Sequence, residues 1–361
     1  MNTGRPRLAA YVALAYTLVI VYASVQPFSG WRMPPAEVLA FLTAPLPRFI
    51  TATDITLNVV AYLPLGALLA VALSARCGAG TAAALATLLA ALLSLALEHA
   101  QVFLPSRIAS NLDLAANAAG AAAGALAAWL CTLPAVADNP LARLRRRLMR
   151  NDTAGDCGLL ALAVWLFVQF DPAPLALASG DLREALDAQP WLRFSPALYQ
   201  NAEAAVAALA VVVLGLLAAQ LTTGPRAALV AALAALTLTL AVKSFAVWSL
   251  SRNALPTHWL TPGVTTGIAT GGALLLALLW LSRAWRSAVA VACLLAALIL
   301  VNLMPENPYQ NTPPFLLAAQ PSHLSNFSNI VHLLSQLWPF ATALLLVALA
   351  RREGANVERA A

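Results

Sequence analysis

The sequence predicts an all-α polytopic membrane protein with about ten transmembrane helices and both termini in the cytoplasm. Three observations predict it: the composition, the length of the apolar runs and the distribution of arginine. Of 361 residues, 61% are hydrophobic and only 10% are charged, and the mean hydropathy is +0.78. Soluble globular domains carry about 25% charged residues. The composition therefore excludes that class and indicates a chain whose surroundings are largely lipid.

Ten apolar runs follow one another along the chain. A helix needs about 20 apolar residues to cross about 30 Å of hydrocarbon, and most of the runs reach that length; the fifth is shorter. In lipid every backbone N–H must be paired within the segment, so each run is predicted to be helical. The runs are Leu8–Val25, Leu57–Ala75, Thr81–Phe103, Leu114–Leu133, Cys157–Phe170, Ala202–Leu221, Ala227–Leu250, Gly263–Leu281, Ala288–Met304 and Asn329–Ala350.

Arginine fixes the predicted orientation, because short loops rich in Lys and Arg stay in the cytoplasm. With an internal N-terminus, fourteen arginines fall in cytoplasmic segments and six in outer loops, while Lys243 lies inside a helix. We therefore expect a multi-pass membrane protein whose basic loops lie in the cytoplasm. The net charge of +6, including the cluster Arg143–Arg150, is expected to contact anionic lipid headgroups and not nucleic acid.

Cysteine and histidine give no sign of a metal or a cofactor. The four cysteines form no CxxC pair, and the four histidines lack the spacing of a known ligand motif. We predict neither a metal site nor a bound cofactor. The residues are Cys77, Cys131, Cys157, Cys293, His99, His258, His323 and His332.

The sequence also contains signs of an internal repeat. Gln26 and Asn58 have counterparts 143 residues later in Gln169 and Asn201, and the pair Glu98 and Arg107 has counterparts 145 residues later. Those counterparts are Lys243 and Arg252, and a partial third copy begins near Asn329. The pattern predicts a four-helix unit repeated about two and a half times. The corresponding segments are 1–135, a basic cytoplasmic linker at 136–156, a degenerate second unit at 157–285 and a two-helix partial repeat with a basic tail at 286–361.

The strongest candidates for a functional site are polar residues in or beside apolar helices of the first unit. Such residues are costly in lipid and by default mark a site. Their spacing of three or four residues places one polar stripe on each of the second, third and fourth spans. The predicted topology places the stripes at the outer ends of those spans, around a shallow outward-facing cavity. The candidates are Asp54, Asn58, Glu98, Gln101, Arg107, Asp113 and Asn117.

Structural explanations compete with this interpretation. Asp54 and Asp113 each end an [ST]xx[DE] pattern and are suited to cap a helix. Arg107 has the length to extend to lipid headgroups. Glu98 lies several residues inside an apolar helix, so a pair with Arg107 that only joins two helices is the main alternative to a binding site.

The same residues carry a resemblance to a known family. The runs Asp54-Ile-Thr-Leu-Asn58 through Pro64-Leu-Gly66 and Ser94-Leu-Ala-Leu-Glu98-His-Ala-Gln101, followed by Arg107, Asp113, Asn117, Gly120 and Gly124, resemble the VanZ-like family of membrane proteins. The resemblance covers about the first 135 residues. The founding member of the family is associated with teicoplanin resistance, and no biochemical activity is established for the family. The resemblance implies a location in the bacterial inner (cytoplasmic) membrane. The six further spans go beyond one family unit.

Three functions remain open at this stage. The first is a non-enzymatic envelope protein whose polar residues bind a lipid headgroup or a lipid-linked envelope precursor, with a link to glycopeptide resistance implied by the resemblance. The second is an enzyme acting on a lipid-carried phosphate, with Glu98 as general base and Arg107 stabilising charge. The third is a proton-coupled transporter. The sequence favours the first, names no protein partner and predicts membrane lipids as the ligands.

Overall fold

A computed structural model of the chain describes residues 4–26, 28–33, 37–45, 52–133, 143, 147–170, 175–183, 185–186, 192–250, 255–305, 307 and 322–360. This part of the chain forms ten α-helices and contains no β-strand. Each of the ten apolar runs lies within or largely within one of these helices. Their bounds are α1 Gly4–Val25, α2 Ala52–Cys77, α3 Ala79–Gln101, α4 Asn111–Leu130, α5 Thr153–Val168, α6 Pro196–Gln220, α7 Pro225–Leu250, α8 Pro262–Leu278, α9 Arg283–Leu303 and α10 Ser322–Ala360.

The lengths and compositions of the helices confirm a polytopic membrane protein. Seven of the described helices, α1, α2, α3, α6, α7, α9 and α10, are long and apolar enough to cross a bilayer. Helices α5 and α8 are apolar but shorter, and α4 has 20 residues with polar side chains in its first turns. Large apolar side chains such as Leu14, Leu88 and Leu344 are more than half exposed, as expected where the surrounding solvent is lipid.

The chain divides into two compact units. The first unit contains residues 1–143 and 315–330, and the second contains residues 144–314 and 331–361. Helices α1 to α4 therefore belong to the first unit and α5 to α9 to the second. Helix α10 begins in the first unit and ends in the second.

Close approach of α2 and α4 organises the first unit. Helix α2 packs against α1, α3 and α4. A Cβ atom added at Gly120 would lie 2.2 Å from the carbonyl oxygen of Val59, and one at Gly124 would lie 1.9 Å from that of Leu63. Only glycine allows backbones this close, which is how small residues let helices associate in lipid. The Gly120 and Gly124 pair is therefore a packing device.

The second unit is built around α6, which is buried along most of its length. Helix α8 approaches α6 in the same way, because a Cβ atom at Gly267 would lie 2.3 Å from the carbonyl oxygen of Ala204. Helices α5, α7 and α9 also pack on α6. Trp165 on α5 and Trp338 on α10 lie in contact in the core of this unit, with ring centroids 4.6 Å apart.

Candidate functional site

The predicted polar residues of the first unit meet at one end of α1 to α4. All six candidates whose side chains the structure describes are buried, with exposed fractions of 3–7%. Asp54 lies in the first turn of α2, but its side chain falls outside the described residues. The cluster is therefore closed in this structure and is not the shallow open cavity that the spacing suggested. The six residues are Asn58, Glu98, Gln101, Arg107, Asp113 and Asn117.

Arg107 binds the C-terminal end of α1. Its Nη2 donates to the carbonyl oxygens of Ala23 at 3.0 Å and Gln26 at 3.1 Å, and its Nε donates to Gln26 at 3.2 Å. The last carbonyls of a helix have no partner within the helix and carry partial negative charge, so a cation there is favourable. Arg107 therefore binds inside the unit and does not extend to headgroups. Burial lowers the pKa of Arg107, and the negative charge of Glu98 opposes this change.

Glu98 binds the opposite kind of helix end. Its Oε2 accepts a hydrogen bond from the backbone N–H of Ser110, at 2.8 Å. Ser110 is the N-cap of α4, and its hydroxyl accepts from the N–H groups of Leu112 and Asp113. A carboxylate is stabilised at a helix N-terminus by the unpaired N–H groups there. Glu98 and Arg107 thus complete two helix ends as well as interacting with each other.

Amide side chains join α2, α3 and α4 across the apolar interior. Asn58 on α2 donates to Oδ1 of Asp113 on α4 at 2.9 Å, and Asn117 on α4 donates to Oγ of Ser94 on α3 at 2.9 Å. Ser94 also forms a hydrogen bond with Tyr62 of α2. Interhelical hydrogen bonds between polar side chains are a principal source of helix association in lipid. The three predicted stripes therefore face one another.

One atom of this cluster is left over. Oδ1 of Asn117 is buried and has no hydrogen-bond partner. Nδ1 of His99 on α3 is also buried without a hydrogen-bond partner. Leaving a buried acceptor unsatisfied costs about 1–3 kcal/mol. Most buried polar groups in proteins are paired, so each exception calls for an explanation. An unpaired amide oxygen is a place where a donor from outside the chain can bind.

Helix α1 is the part of the site that sequence reasoning missed. Nε2 of Gln101 donates to the carbonyl oxygen of Ser24, and the Tyr16 hydroxyl donates to that of Ala61. The carbonyls of α1 are therefore acceptors for both Gln101 and Arg107. Gln26 is a landmark of the predicted repeat, but backbone acceptors leave no compositional signal. The prediction assigned the cluster to α2, α3 and α4 alone.

The assembled groups are suited to hydrogen-bond and charge recognition. They comprise one cation, carboxylates and amides within a low-dielectric bundle, where polar interactions are strengthened. The Ser94 hydroxyl is engaged by Asn117 and Tyr62. Within the described residues, no group of three or more His, Cys, Asp or Glu side chains is placed to hold a metal ion.

Comparison with known families supports the resemblance of the first four helices to the VanZ-like family. Residues 8–132 match the model of the VanZ/LLP1 family, a range that contains all seven candidate residues. The comparisons with curated proteins and with solved structures found no match. The matched range contains α2, α3 and α4 and ends before α5 begins. The chain is thus a multi-pass membrane protein with a VanZ-like region in residues 8–132.

Proposed function

We propose that this protein is a non-enzymatic component of the bacterial cell envelope that resides in the inner membrane. In this proposal the polar cluster of α1 to α4 binds the headgroup of a lipid or of a lipid-linked envelope precursor on the outer side. The observation that carries the proposal is the unpaired, buried Oδ1 of Asn117 among hydrogen-bonded polar side chains. A polar cluster within an apolar bundle marks a functional site by default.

The cluster contains more polar groups than its helix ends require. Arg107 and Glu98 complete the ends of α1 and α4. Asn58 and Asn117 complete no helix end through their bonds, which go to Asp113 and Ser94. Hydrophobic residues of similar volume would pack such an interface at less desolvation cost. These amide and carboxyl groups are therefore the part of the cluster we assign to recognition.

The chemistry of the cluster fits a headgroup better than an apolar ligand. Headgroups present hydroxyl, amide and phosphate groups, which pair with amide oxygens, carboxylates and guanidinium groups. A hydroxyl or N–H of the ligand would donate to Oδ1 of Asn117. Because the side chains are closed off in this structure, binding requires the short loop at 102–110, which carries Arg107, to open.

Native mass spectrometry of the detergent-purified full chain tests the proposal. We compare the lipids that co-purify with the parent, with Asn117→Leu and with Glu98→Gln. Asn111→Leu is the matched control, because Asn111 lies on the same helix but its amide binds the carbonyl oxygen of Ala44 outside the cluster. A specific lipid that is lost from the first two variants and kept by the control supports a headgroup site.

Equal lipid retention in all four proteins contradicts the proposal. If Asn117→Leu and Glu98→Gln retain lipid but unfold at lower temperature, the cluster is a structural girdle of hydrogen bonds. Thermal unfolding followed in the same detergent separates the two outcomes. A variant that loses lipid and keeps the parent's unfolding temperature supports recognition, because a purely structural role predicts the opposite.

We also propose the ten-span topology with both termini cytoplasmic, the four predicted segments and the repeated four-helix unit. The shared close approach of α2 with α4 and of α6 with α8 supports a repeat. The fourteen-to-six distribution of arginine supports the orientation. Reporter fusions after Arg147 and within the loop containing Arg107 test it, because the two sites must report opposite sides of the membrane.

The other activities remain predictions of the sequence. Turnover of a lipid-carried phosphate requires an activated nucleophile. The Ser94 hydroxyl accepts from the Asn117 amide and bonds with Tyr62, and neither is a base that would activate it. Proton-coupled transport is tested by uptake in Glu98→Gln. A role in resistance to teicoplanin-type glycopeptides rests on the family resemblance, and the sensitivity of a strain lacking the protein measures it directly.

A further inference from the structure

The second unit contains an apolar groove that the proposed function of the first unit does not use. Its volume is about 420 Å³, within the range of about 300–1,000 Å³ typical of small-ligand sites. Helices α5 and α7 form its walls, and the turn between α6 and α7 forms one end. Val230 and Leu238 line it and are 60% and 50% exposed, so it opens on the outer surface of the unit.

The deep part of the groove offers nothing polar to a ligand. Trp165 and Thr239 lie there, each 2% exposed. The indole N–H of Trp165 donates to the Thr239 hydroxyl, and that hydroxyl donates to the carbonyl oxygen of Ala235. These polar groups satisfy one another. The occupant of this part of the groove must therefore be apolar.

The other end of the groove lies next in the chain to two exposed arginines and is held by backbone hydrogen bonds. Thr223 N–H donates to the carbonyl oxygen of Leu148, and Met149 pairs with Thr222 as an isolated antiparallel bridge. This pairing fixes the end of the arginine-rich linker against the α6–α7 turn. Leu148 and Ala227 line the groove, and each is preceded in the chain by an exposed arginine, Arg147 and Arg226.

The length of the groove matches one leaflet of a bilayer. It runs along α7 from Ala227 to Thr239, which at 1.5 Å per residue is about 18 Å. Half of a hydrocarbon core about 30 Å thick is about 15 Å. An acyl chain that begins at the basic end would therefore reach the Trp165 end. Basic pockets between transmembrane helices are known to hold anionic lipid headgroups.

We propose that this groove is a binding site for an anionic phospholipid, with one acyl chain between α5 and α7 and the phosphate at Arg147 and Arg226. The hydroxyls at this end are already bound to backbone, since Thr222 donates to Ala219 and Thr223 donates to Arg147. Recognition of the headgroup therefore depends on the two cations. The site is separate from the polar cluster of the first unit and does not depend on its function.

Native mass spectrometry with a defined lipid mixture tests the site. The purified full chain is mixed with equal amounts of phosphatidylglycerol and phosphatidylcholine of the same acyl composition. We expect the parent to retain one phosphatidylglycerol preferentially. In Arg147→Gln/Arg226→Gln the preference should fall by about fivefold for each arginine lost. Arg351→Gln/Arg352→Gln removes two exposed arginines elsewhere in the same unit and should leave the preference unchanged.

A second pair of variants tests the acyl chain. Ala231→Trp fills the groove and should lower the occupancy by both lipids, whereas Leu233→Trp is a neighbouring exposed position that does not line the groove and should bind as the parent does. If Ala231→Trp fails to fold, Ala231→Leu fills part of the same space and takes its place. Equal occupancy in both variants overturns the proposal, as does equal retention of the two lipids by the parent. Capture of a protein chain in the groove overturns it as well.

Discussion

In both units charged side chains bind the ends of helices, and the units differ in the polar side chains that lie between the helices. In the first unit a cation, Arg107, binds the last carbonyls of α1, and in the second Lys243 binds the carbonyl oxygen of Gln169 at the C-terminus of α5. In each unit a buried carboxylate accepts a hydrogen bond from the N-cap residue of the glycine-bearing helix. Glu98 accepts from Ser110 of α4, and Glu203 accepts from Thr261 of α8. These shared bonds at helix ends are therefore assigned to the stability of the fold and not to ligand binding.

The difference lies in the amides. Asn58 is buried and bonded to Asp113 in the first unit, whereas Asn201, its counterpart at the predicted repeat distance, is exposed. Helix α8 contains no Asn, Asp or Gln at all. The second unit also has a buried amide bond between helices, from Gln220 of α6 to the Ser287 hydroxyl of α9. Within the described residues, the bond between Asn58 and Asp113 has no counterpart at the repeat position, which is the reason to look for ligand recognition in the first unit.

The largest expected effect tests the shared packing. Gly124→Leu places a side chain where even a Cβ atom lies 1.9 Å from the carbonyl oxygen of Leu63, and Gly267→Leu does the same against Ala204. We expect each to lower the free energy of unfolding by about 3 kcal/mol or more, with loss of monodisperse protein in size-exclusion chromatography. Gly272→Leu is the control, because no atom lies within 4 Å of its Cβ position. A stable Gly267→Leu protein would show that the two units do not share this glycine packing.

The next effect tests the helix-end cations. Arg107→Met removes the guanidinium donor from two carbonyl oxygens and the cation that offsets the Glu98 charge, which should cost about 3–5 kcal/mol. Lys243→Met removes a bond to one carbonyl oxygen and should cost about 1–3 kcal/mol. Thermal unfolding in detergent measures both. Arg107→Lys keeps the charge but loses the planar fork, so it should fall between the parent and Arg107→Met.

A smaller effect separates the amide network from the helix ends. A double-mutant cycle with Asn58→Leu and Asp113→Leu should give a coupling energy of about 0.6–1.7 kcal/mol, the range found for side-chain hydrogen bonds within membranes. The same cycle with Glu203→Leu and Thr261→Val gives the value for the second unit. Lipid binding should change only in the first cycle. Lipid loss in both cycles would remove the distinction between the units.

The smallest effect depends on pH and concerns the second unit only. Burial raises the pKa of Asp152, but the hydrogen bonds from Arg150 and from the Gly155 N–H outweigh it and hold the pKa below its usual value. The stability from Asp152 is therefore complete above the unfolded pKa of about 3.9. It is lost as the pH falls through the lower folded pKa. Unfolding of Asp152→Asn, compared with the parent at pH 6 and pH 3, should show a larger difference between them at pH 6 than at pH 3.

Much of the fold could be predicted because lipid imposes it. Apolar runs such as Ala79–Gln101 must be helical to pair their backbone, and all ten predicted runs coincide with helices. The polar stripes at Asn58, Glu98 and Asn117 could be predicted to converge, since a helix that buries polar groups must turn them towards other helices. Their exact partners could not, because spacing fixes a face and leaves the opposing residue undetermined.

Other features left no local signal. The bonds from Arg107 and Gln101 to carbonyls of α1 join residues 77–84 positions apart, and every residue carries a carbonyl. The closure of the cluster also depends on side chains packing around it, which periodicity does not report. The second-unit groove arises from the spacing of α5 and α7, a tertiary property that their similar apolar compositions conceal.

The bond between Arg107 and Ala23 also bears on how the protein is made. The two residues are 84 positions apart, which at about 5–20 residues per second is about 4–17 s of synthesis. During that interval α1 is already in the membrane with its last carbonyls awaiting their permanent donor. Water, lipid headgroups or an insertion factor must satisfy them first. Docking of α1 onto α2 to α4 is therefore an ordered step that waits for the α3–α4 loop.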